Sequence, residues 1–280
     1  MEAILSIAKK EVMDNIRTKG IIIITITFVI IAIISSIMGP ALKGFSGLGA
    51  LGMTISIMMM ITQYEICIIG VLLGYASIAG EAESGTLSAF ISFPVTRLEI
   101  IIGKFLGLGL VLSASILLGF GIAGIIIGVG VGNVDYGVYL IYILYSILLG
   151  LVFLSTSIFF SSILKKRSTA LVTSMFVWAF FSFLWGMMLI GLLFANHTAP
   201  GSADAGGLFA LNLFSPTQVY TALVALSFGA KTLIIPSLGL STFGNDFPDF
   251  YSAGLLVFLM LLWILVMLIF SYLSFRYRDI

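Results

Sequence analysis

Long apolar runs alternate with short polar segments along the whole chain. A hydrocarbon core of about 30 Å needs roughly 20 predominantly apolar residues in a helix, and six runs meet this requirement. The runs lack the strict alternation of apolar and polar residues that membrane-spanning strands show. We therefore predict an all-α integral membrane protein. Its six predicted transmembrane helices cover about residues 20–38, 53–79, 105–131, 138–164, 170–194 and 253–275.

The first 19 residues have a different pattern from the runs that follow. One helical face collects apolar side chains, namely Ile4, Leu5, Ala8, Val12 and Ile16. Charged residues of both signs fall largely on other faces, which is typical of a helix that lies in the membrane interface. The next apolar run is longer than the apolar region of a signal peptide. We interpret residues 1–19 as an interfacial helix and residues 20–38 as a retained first span.

The distribution of lysine and arginine predicts the orientation of the helices. With the N-terminus inside, the inside segments hold eleven basic residues and the outside segments hold two, Lys43 and Lys231. Because basic residues concentrate on the cytoplasmic side of membrane proteins, we place both termini in the cytoplasm. Residues 195–252 then form a long extracytoplasmic segment of a multi-pass protein in the cell membrane.

Composition narrows the function classes. Apolar residues make up 60% of the chain and charged residues 9%, against about 45–50% and about 25% in soluble domains. A net charge of +1 gives no reason to expect a nucleic-acid partner. The single cysteine, Cys67, excludes a disulfide framework within the chain, and the single histidine, His197, excludes a histidine-rich metal site within one copy.

The inside connection between the second and third predicted spans contains an informative pattern. A short helix carrying Glu81 and Glu83 should end before Pro94, because the residue before a proline avoids the α conformation. Thr96 and Glu99 have the spacing of a capping box that starts the next membrane helix. We expect a compact elbow with acidic residues on one limb and basic residues on the other. An ordinary charged loop is an equally good interpretation of these residues alone.

This elbow resembles the hallmark of ABC-2 type transporter permeases. The matching letters are G-E-x-E-x-G-T-L, followed by P-V-T-R-x-E-I-I-x-G-K. The opening I-A-K-K-E-V-M-D-N-I-R resembles the interfacial helix of that family, and six spans with cytoplasmic termini match its layout. The resemblance implies that the elbow docks onto a separate ABC-type ATPase subunit and that two permease copies form a homodimer. The expected coupling residues are Glu81, Glu83, Gly85, Thr86, Leu87, Pro94, Arg97, Glu99 and Lys104.

Within the family, the chain resembles the branch that contains the permease of nitrous oxide reductase maturation systems. The likeness rests on F-S-P-T-Q-V-Y before the last span and on Y-R-D-I at the end, with Ser215 and Gln218 departing from the branch pattern. No G-x-x-x-x-G-K-[ST] phosphate loop occurs. ATP and Mg are therefore expected on the ATPase, and no cofactor is expected on this chain. The resemblance implies an exporter that contacts membrane lipids and an extracytoplasmic protein, with an unidentified cargo.

Glu65 lies inside the second predicted span, where an ionisable side chain is costly. It either lines a cavity and takes part in transport, or it locks helices together as a buried group near Gln63 and Tyr64. Both interpretations stay open. Glycines recur at a spacing that lets helices approach closely, either within one subunit or between two copies. These glycines are Gly70, Gly74, Gly103, Gly107, Gly124, Gly128 and Gly132.

The extracytoplasmic segment contains one helix signal. Ser215 and Pro216 suit the N-cap and N1 positions, which predicts a helix from Pro216 to about Phe228. We expect this helix near the outer membrane surface, with Phe214 and Val219 in contact. Two further function classes remain open: a secondary transporter without an ATPase, and a membrane hydrolase. The hydrolase has no support from an H-E-x-x-H or G-x-S-x-G motif.

Overall fold

The described part of the protein is almost entirely helical. The computed structural model describes residues 2–16, 18–41, 50–85, 95–131, 135–195, 210–227, 233–235, 240–242 and 250–277. The helices are α1 (Glu2–Ile16), α2 (Lys19–Ala41), α3 (Ala50–Gly74), α4 (Ala79–Glu83), α5 (Arg97–Val131), α6 (Tyr136–Ile163), α7 (Arg167–Ala179), α8 (Trp185–Ala195), α9 (Pro216–Ser227) and α10 (Ala253–Arg276). A π-helical turn, Phe180–Leu184, joins α7 to α8. Two three-residue antiparallel strands, β1 (Leu233–Ile235) and β2 (Leu240–Thr242), lie in the predicted extracytoplasmic segment.

Five helical stretches among the described residues are long and apolar enough to cross a membrane. They coincide with the second to sixth predicted spans, and the all-α membrane fold is confirmed. The first predicted span coincides with α2, a 23-residue helix whose described apolar part is Ile22–Ile37. A helix of this length rises about 35 Å. Two boundaries differ: α3 ends at Gly74 instead of near residue 79, and α5 begins at Arg97 instead of near residue 105.

Glycines set the closest helix contacts within the subunit. A Cβ atom built on Gly70 would lie 2.6 Å from the Gly150 carbonyl oxygen of α6, and one on Gly74 would lie 2.8 Å from the Ser157 Cβ. Gly103 and Gly107 of α5 face α1 in the same way. The predicted small-residue faces at these positions therefore pack helices of one chain together. Gly132 lies outside the described residues.

Helix α1 packs one face against α5 and leaves another apolar face exposed. Ile7 and Ala8 are buried against the α5 glycines, whereas Leu5 and Ile16 are 65% and 58% exposed. The apolar side chains of α1 thus do not all share one environment. Those next to the α5 glycines are buried within the protein, and the others remain exposed. The exposed apolar side chains suit a helix at a membrane interface.

Helix α9 has the predicted start and lies buried within the helix bundle. It runs from Pro216 to Ser227, and every residue from Pro216 to Val224 is buried against the bundle, chiefly against α6 and α10. Helix α9 is therefore enclosed by other helices of the chain, and its location near the outer membrane surface stays a prediction. The predicted Phe214–Val219 staple is wrong, because Phe214 is 64% exposed while Val219 is buried. Two of its buried polar side chains have hydrogen-bond acceptors: the Thr217 hydroxyl donates to the Phe181 carbonyl and the Thr221 hydroxyl to the Thr217 carbonyl, both at 2.9 Å.

Candidate coupling site

Helix α4 begins where the chain leaves α3, and α6 holds its first residues. The backbone N–H groups of Ile78 and Ala79 donate to the Ser161 hydroxyl of α6 at 3.0 and 2.9 Å. A helix start leaves its first N–H groups without intrahelical acceptors. Ser161 supplies the acceptor from a different helix, so α4 starts at a fixed place on α6.

A buried ionic cluster joins α4 to α1 and α5. The Lys104 ammonium lies 2.6 Å from a Glu11 carboxylate oxygen and 2.8 Å from a Glu81 carboxylate oxygen. Lys104 is only 1% exposed. The Lys10 ammonium lies 3.6 Å from the same Glu81 oxygen. Because a buried charge is costly without a partner, each member of this cluster constrains the position of the others.

The other acidic residue of α4 contacts the start of α7. The Glu83 carboxylate accepts a hydrogen bond from the Arg167 backbone N–H at 3.1 Å and lies 3.8 Å from the Arg167 Nε. Lys166, at the N-cap position of α7, makes no side-chain capping bond. Glu83 therefore supplies the negative charge that favours a helix N-terminus, although it belongs to a different helix. Both side chains are largely exposed.

Gly85 ends the described part of the first limb. Its φ angle of +76° lies in the left-handed region, where residues with a side chain are strained. The chain turns here after α4. Of the predicted coupling residues, Thr86, Leu87 and Pro94 lie outside the described residues.

The second limb begins with the predicted capping box. The Thr96 N–H and hydroxyl donate to a Glu99 carboxylate oxygen at 2.9 and 2.8 Å, and the Glu99 N–H donates to the Thr96 hydroxyl at 3.3 Å. The reciprocal bonds satisfy N–H groups that the start of α5 would otherwise leave open. This local prediction is confirmed.

Arg97 contacts the end of the last helix. Its guanidinium donates to the backbone carbonyl of Phe275 and, at 2.8 Å, to that of Arg276, and it lies over the Phe275 ring. A helix C-terminus carries unpaired carbonyl groups and a partial negative charge. Arg97 therefore joins the start of α5 to the end of α10.

The described coupling residues thus fall into three groups. Glu81, Arg97 and Lys104 make buried or part-buried contacts that join helices, and Glu99 caps the start of α5. Glu83 and Gly85 are exposed, although Glu83 also contacts Arg167. Thr96 and Leu98, at the start of the second limb, are exposed as well. This exposed surface, residues 83–85 with residues 96 and 98, is named the elbow surface below.

Sequence reasoning missed Glu11, Ser161 and Arg167 as members of the site. Glu11 gave a usable signal, because it follows Ile7 and Ala8 by four and three residues and so lies on the stripe of α1 that packs against α5. Ser161 gave none, since a serine in an apolar helix is common. Arg167 was counted only as an inside basic residue.

Glu65 lies on α3 beside an aromatic contact with the π-turn. Tyr64 stacks on Phe183 with ring centroids 5.3 Å apart. One Glu65 carboxylate oxygen, Oε2, is buried and has no hydrogen-bond partner among the described residues, and the same holds for Gln63 Oε1. Next to them, the Thr62 hydroxyl lies 3.1 Å from the Tyr142 hydroxyl. Neither of these two oxygens therefore makes a hydrogen bond that would lock helices together, and both interpretations of Glu65 stay open.

Similarity to known proteins shows the family of this chain. Residues 5–280 match the family described as ABC-2 family transporter protein. The chain belongs to the ABC-2 transporter family. Two relatives named ABC transporter permease protein NosY are similar over full length. The protein of Stutzerimonas stutzeri is 30% identical over 99% of both chains, and that of Pseudomonas aeruginosa is 29% identical over 100% of both. The ABC-2 permease described here is thus a multi-pass membrane component of an ABC transporter.

Proposed function

We propose that this ABC-2 permease couples ATP hydrolysis on a separate ABC-type ATPase subunit to the export of a cargo, or to work on an extracytoplasmic partner. The observation that carries the proposal is the construction of the elbow. Its inner side is joined to α1, α5 and α6 through Lys104 and Ser161, while its outer side exposes the elbow surface. A force applied at that surface would therefore reach three other helices.

ATP and Mg bind on the partner in this account. The sequence holds no glycine-rich phosphate loop, since Gly103 and Lys104 are followed by Phe105. Lys104 is also buried between Glu11 and Glu81, and its ammonium forms ion pairs with both carboxylates. The permease accordingly works without a cofactor of its own and performs no hydrolysis.

Two copies of the permease would form the membrane part of the transporter. The position of Glu65 supports a dimer, because Glu65 is partly exposed on the surface of α3. A carboxylate at membrane depth normally faces a bundle interior or a water-filled cavity. A second copy placed against this region would enclose Glu65 in a cavity between the two chains and allow it to contact cargo.

The orientation completes the proposal. The elbow, both termini and α1 lie in the cytoplasm or at the inner interface, where they meet the ATPase and membrane lipids. The 195–252 segment lies outside and offers contact to an extracytoplasmic protein. A secondary transporter is the alternative; it would use Glu65 for ion coupling and would move cargo without an ATPase.

The test is assembly of the permease with an ABC-type ATPase subunit from the same organism. Tagged permease, co-expressed with that ATPase, should retain it through purification. Glu83→Arg should weaken retention at least several-fold, because it reverses the charge on the elbow surface. Glu2→Arg makes the same charge change at an exposed position of α1 and serves as the control. Equal retention by Glu83→Arg and the unmodified chain would remove the elbow from the docking site.

A further inference from the structure

The fifth membrane helix, formed by α7, the π-turn and α8, packs loosely against the bundle. In the most apolar stretch of this helix 17% of the residues are buried, whereas the corresponding stretches of α5 and α6 are each 50% buried. The last helix, α10, is also little buried, but Arg97 fixes its end. The fifth membrane helix, like α10 with 11% of its residues buried, therefore relies on specific contacts for its position in the bundle.

One of these contacts lies at the π-turn. The Thr217 hydroxyl of the buried helix α9 donates to the Phe181 carbonyl at 2.9 Å. A π-turn interrupts the regular ladder of helix hydrogen bonds and is a common place for a helix to bend. Thr217 therefore anchors α9 at the point where the helical hydrogen-bond ladder between α7 and α8 is interrupted.

Another contact lies at the N-terminal end of α7, where Glu83 binds Arg167. Here the two sets of contacts made by α4 differ in strength. Breaking a buried ionic cluster such as that of Lys104 is strongly unfavourable, so α4 moves together with α1 and α5. An exposed pair such as Glu83–Arg167 is weak. Any relative movement at the elbow will therefore separate α4 from α7 before it separates α4 from α5.

We propose that Glu83 is a positioning residue for transport. Its carboxylate holds the N-terminal end of α7 against α4, and its release during the ATPase cycle lets α7 turn about the Phe180–Leu184 π-turn. This proposal rests on the proposed function for the role of the ATPase. The positioning contact itself is a property of the permease alone.

The first experiment measures amide hydrogen exchange of the full-length permease in lipid nanodiscs, without ATPase. Glu83→Ala should speed exchange of the amides of residues 170–173 about three- to tenfold, because the first turn of α7 loses its carboxylate. Glu83→Gln, which keeps an acceptor oxygen but no charge, should give a smaller increase. Asp14→Ala removes an exposed carboxylate of α1 and should leave residues 170–173 unchanged. Exchange in Glu83→Ala equal to that of the unmodified chain would overturn the proposal.

The second experiment uses the complex with the ATPase, trapped with ATP and vanadate. In the unmodified chain, exchange at residues 170–173 should rise toward the level of Glu83→Ala, and in Glu83→Ala it should not rise further. If the complex forms and hydrolyses ATP but exchange at α7 stays at its resting level, the release step is wrong and the proposed function stands. If the ATPase does not bind, the proposed function fails, and the first experiment still decides whether Glu83 positions α7.

Should Glu83→Ala not yield folded protein, as judged by size-exclusion chromatography, Arg167→Ala replaces it. This variant keeps the backbone hydrogen bond and loses only the ion pair, so its increase in exchange should match that of Glu83→Gln. An increase that appears equally at residues 255–258 of α10 would indicate general loosening and would contradict a positioning role.

Discussion

Lys104 and Glu11 form an ion pair of 2.6 Å although 93 residues separate them in the sequence. Lys104 comes from α5 and Glu11 from the interfacial helix α1, and Lys104 is almost completely buried. Glu81 of α4 binds the same ammonium. The pair therefore decides where α1 lies on the bundle, and through Glu81 it decides where the elbow lies as well.

Lys104→Met should destabilise the permease by about 3–5 kcal/mol, because Glu11 would remain buried without its cation. The measurement is thermal unfolding in detergent, with the exposed Lys9→Met as the matched control. Lys104→Met combined with Glu11→Gln should recover part of the loss, since the remaining carboxylate, Glu81, still has the Lys10 ammonium 3.6 Å away. Unfolding of Lys104→Met at the temperature of Lys9→Met would show that the cluster does not hold α1.

Gly70→Ala should also lower stability. Its new Cβ would meet the Gly150 backbone carbonyl, which cannot move away without shifting α6. Overpacking of this kind costs about 1–3 kcal/mol. Gly121→Ala is the matched control, because no atom lies within 4 Å of the position its Cβ would take. Gly121→Ala should unfold at the same temperature as the unmodified chain or slightly higher, and a loss there equal to that of Gly70→Ala would contradict the packing explanation.

Arg97→Ala should loosen the end of α10, because the Phe275 and Arg276 carbonyls lose their donor. Amide exchange at residues 273–276 should increase several-fold, while exchange at residues 255–258 stays constant. Arg97→Lys should restore only part of the protection, since an ammonium lacks the flat geometry that contacts both carbonyls and the ring. Amide protection in Arg97→Ala equal to that of the unmodified chain would show that Arg97 does not hold the end of α10.

The orientation can be tested by labelling single cysteines with a membrane-impermeant reagent in intact cells. The buried Cys67 is first replaced by serine. Cysteine at position 204 should react from outside, whereas cysteines at positions 9 and 166 should react only after the cells are opened. Position 204 lies outside the described residues, so its expectation rests on the sequence alone. Labelling of position 166 in intact cells would reverse the topology.

The parts of the fold that could be predicted depend on the length of apolar runs or on contacts between residues close in sequence. Span length follows from the thickness of the hydrocarbon core. The Thr96–Glu99 capping box involves residues three apart, and the Pro216 helix start involves neighbouring residues. In each case the partner atoms are close in sequence, so their spacing is sufficient to predict the contact.

The parts that the sequence did not predict depend on contacts between distant elements. Lys104 was expected on a limb of the elbow, but its partner Glu11 becomes near only when α1 packs on the α5 glycines. The burial of α9 within the bundle also depends on distant partners, since its Thr217 hydroxyl donates to the Phe181 carbonyl 36 residues away. The π-turn has no local signal, since Phe180–Leu184 would form a regular helix equally well.

The most direct test of the central claim is ATP turnover by the ATPase with and without the permease in nanodiscs. We expect that the permease alone hydrolyses no ATP and that its addition changes the rate of ATP hydrolysis by the ATPase. Glu83→Arg should abolish that change, whereas the control Glu2→Arg should preserve it. Turnover that is the same with and without the permease, or a full effect in Glu83→Arg, would contradict coupling through the elbow.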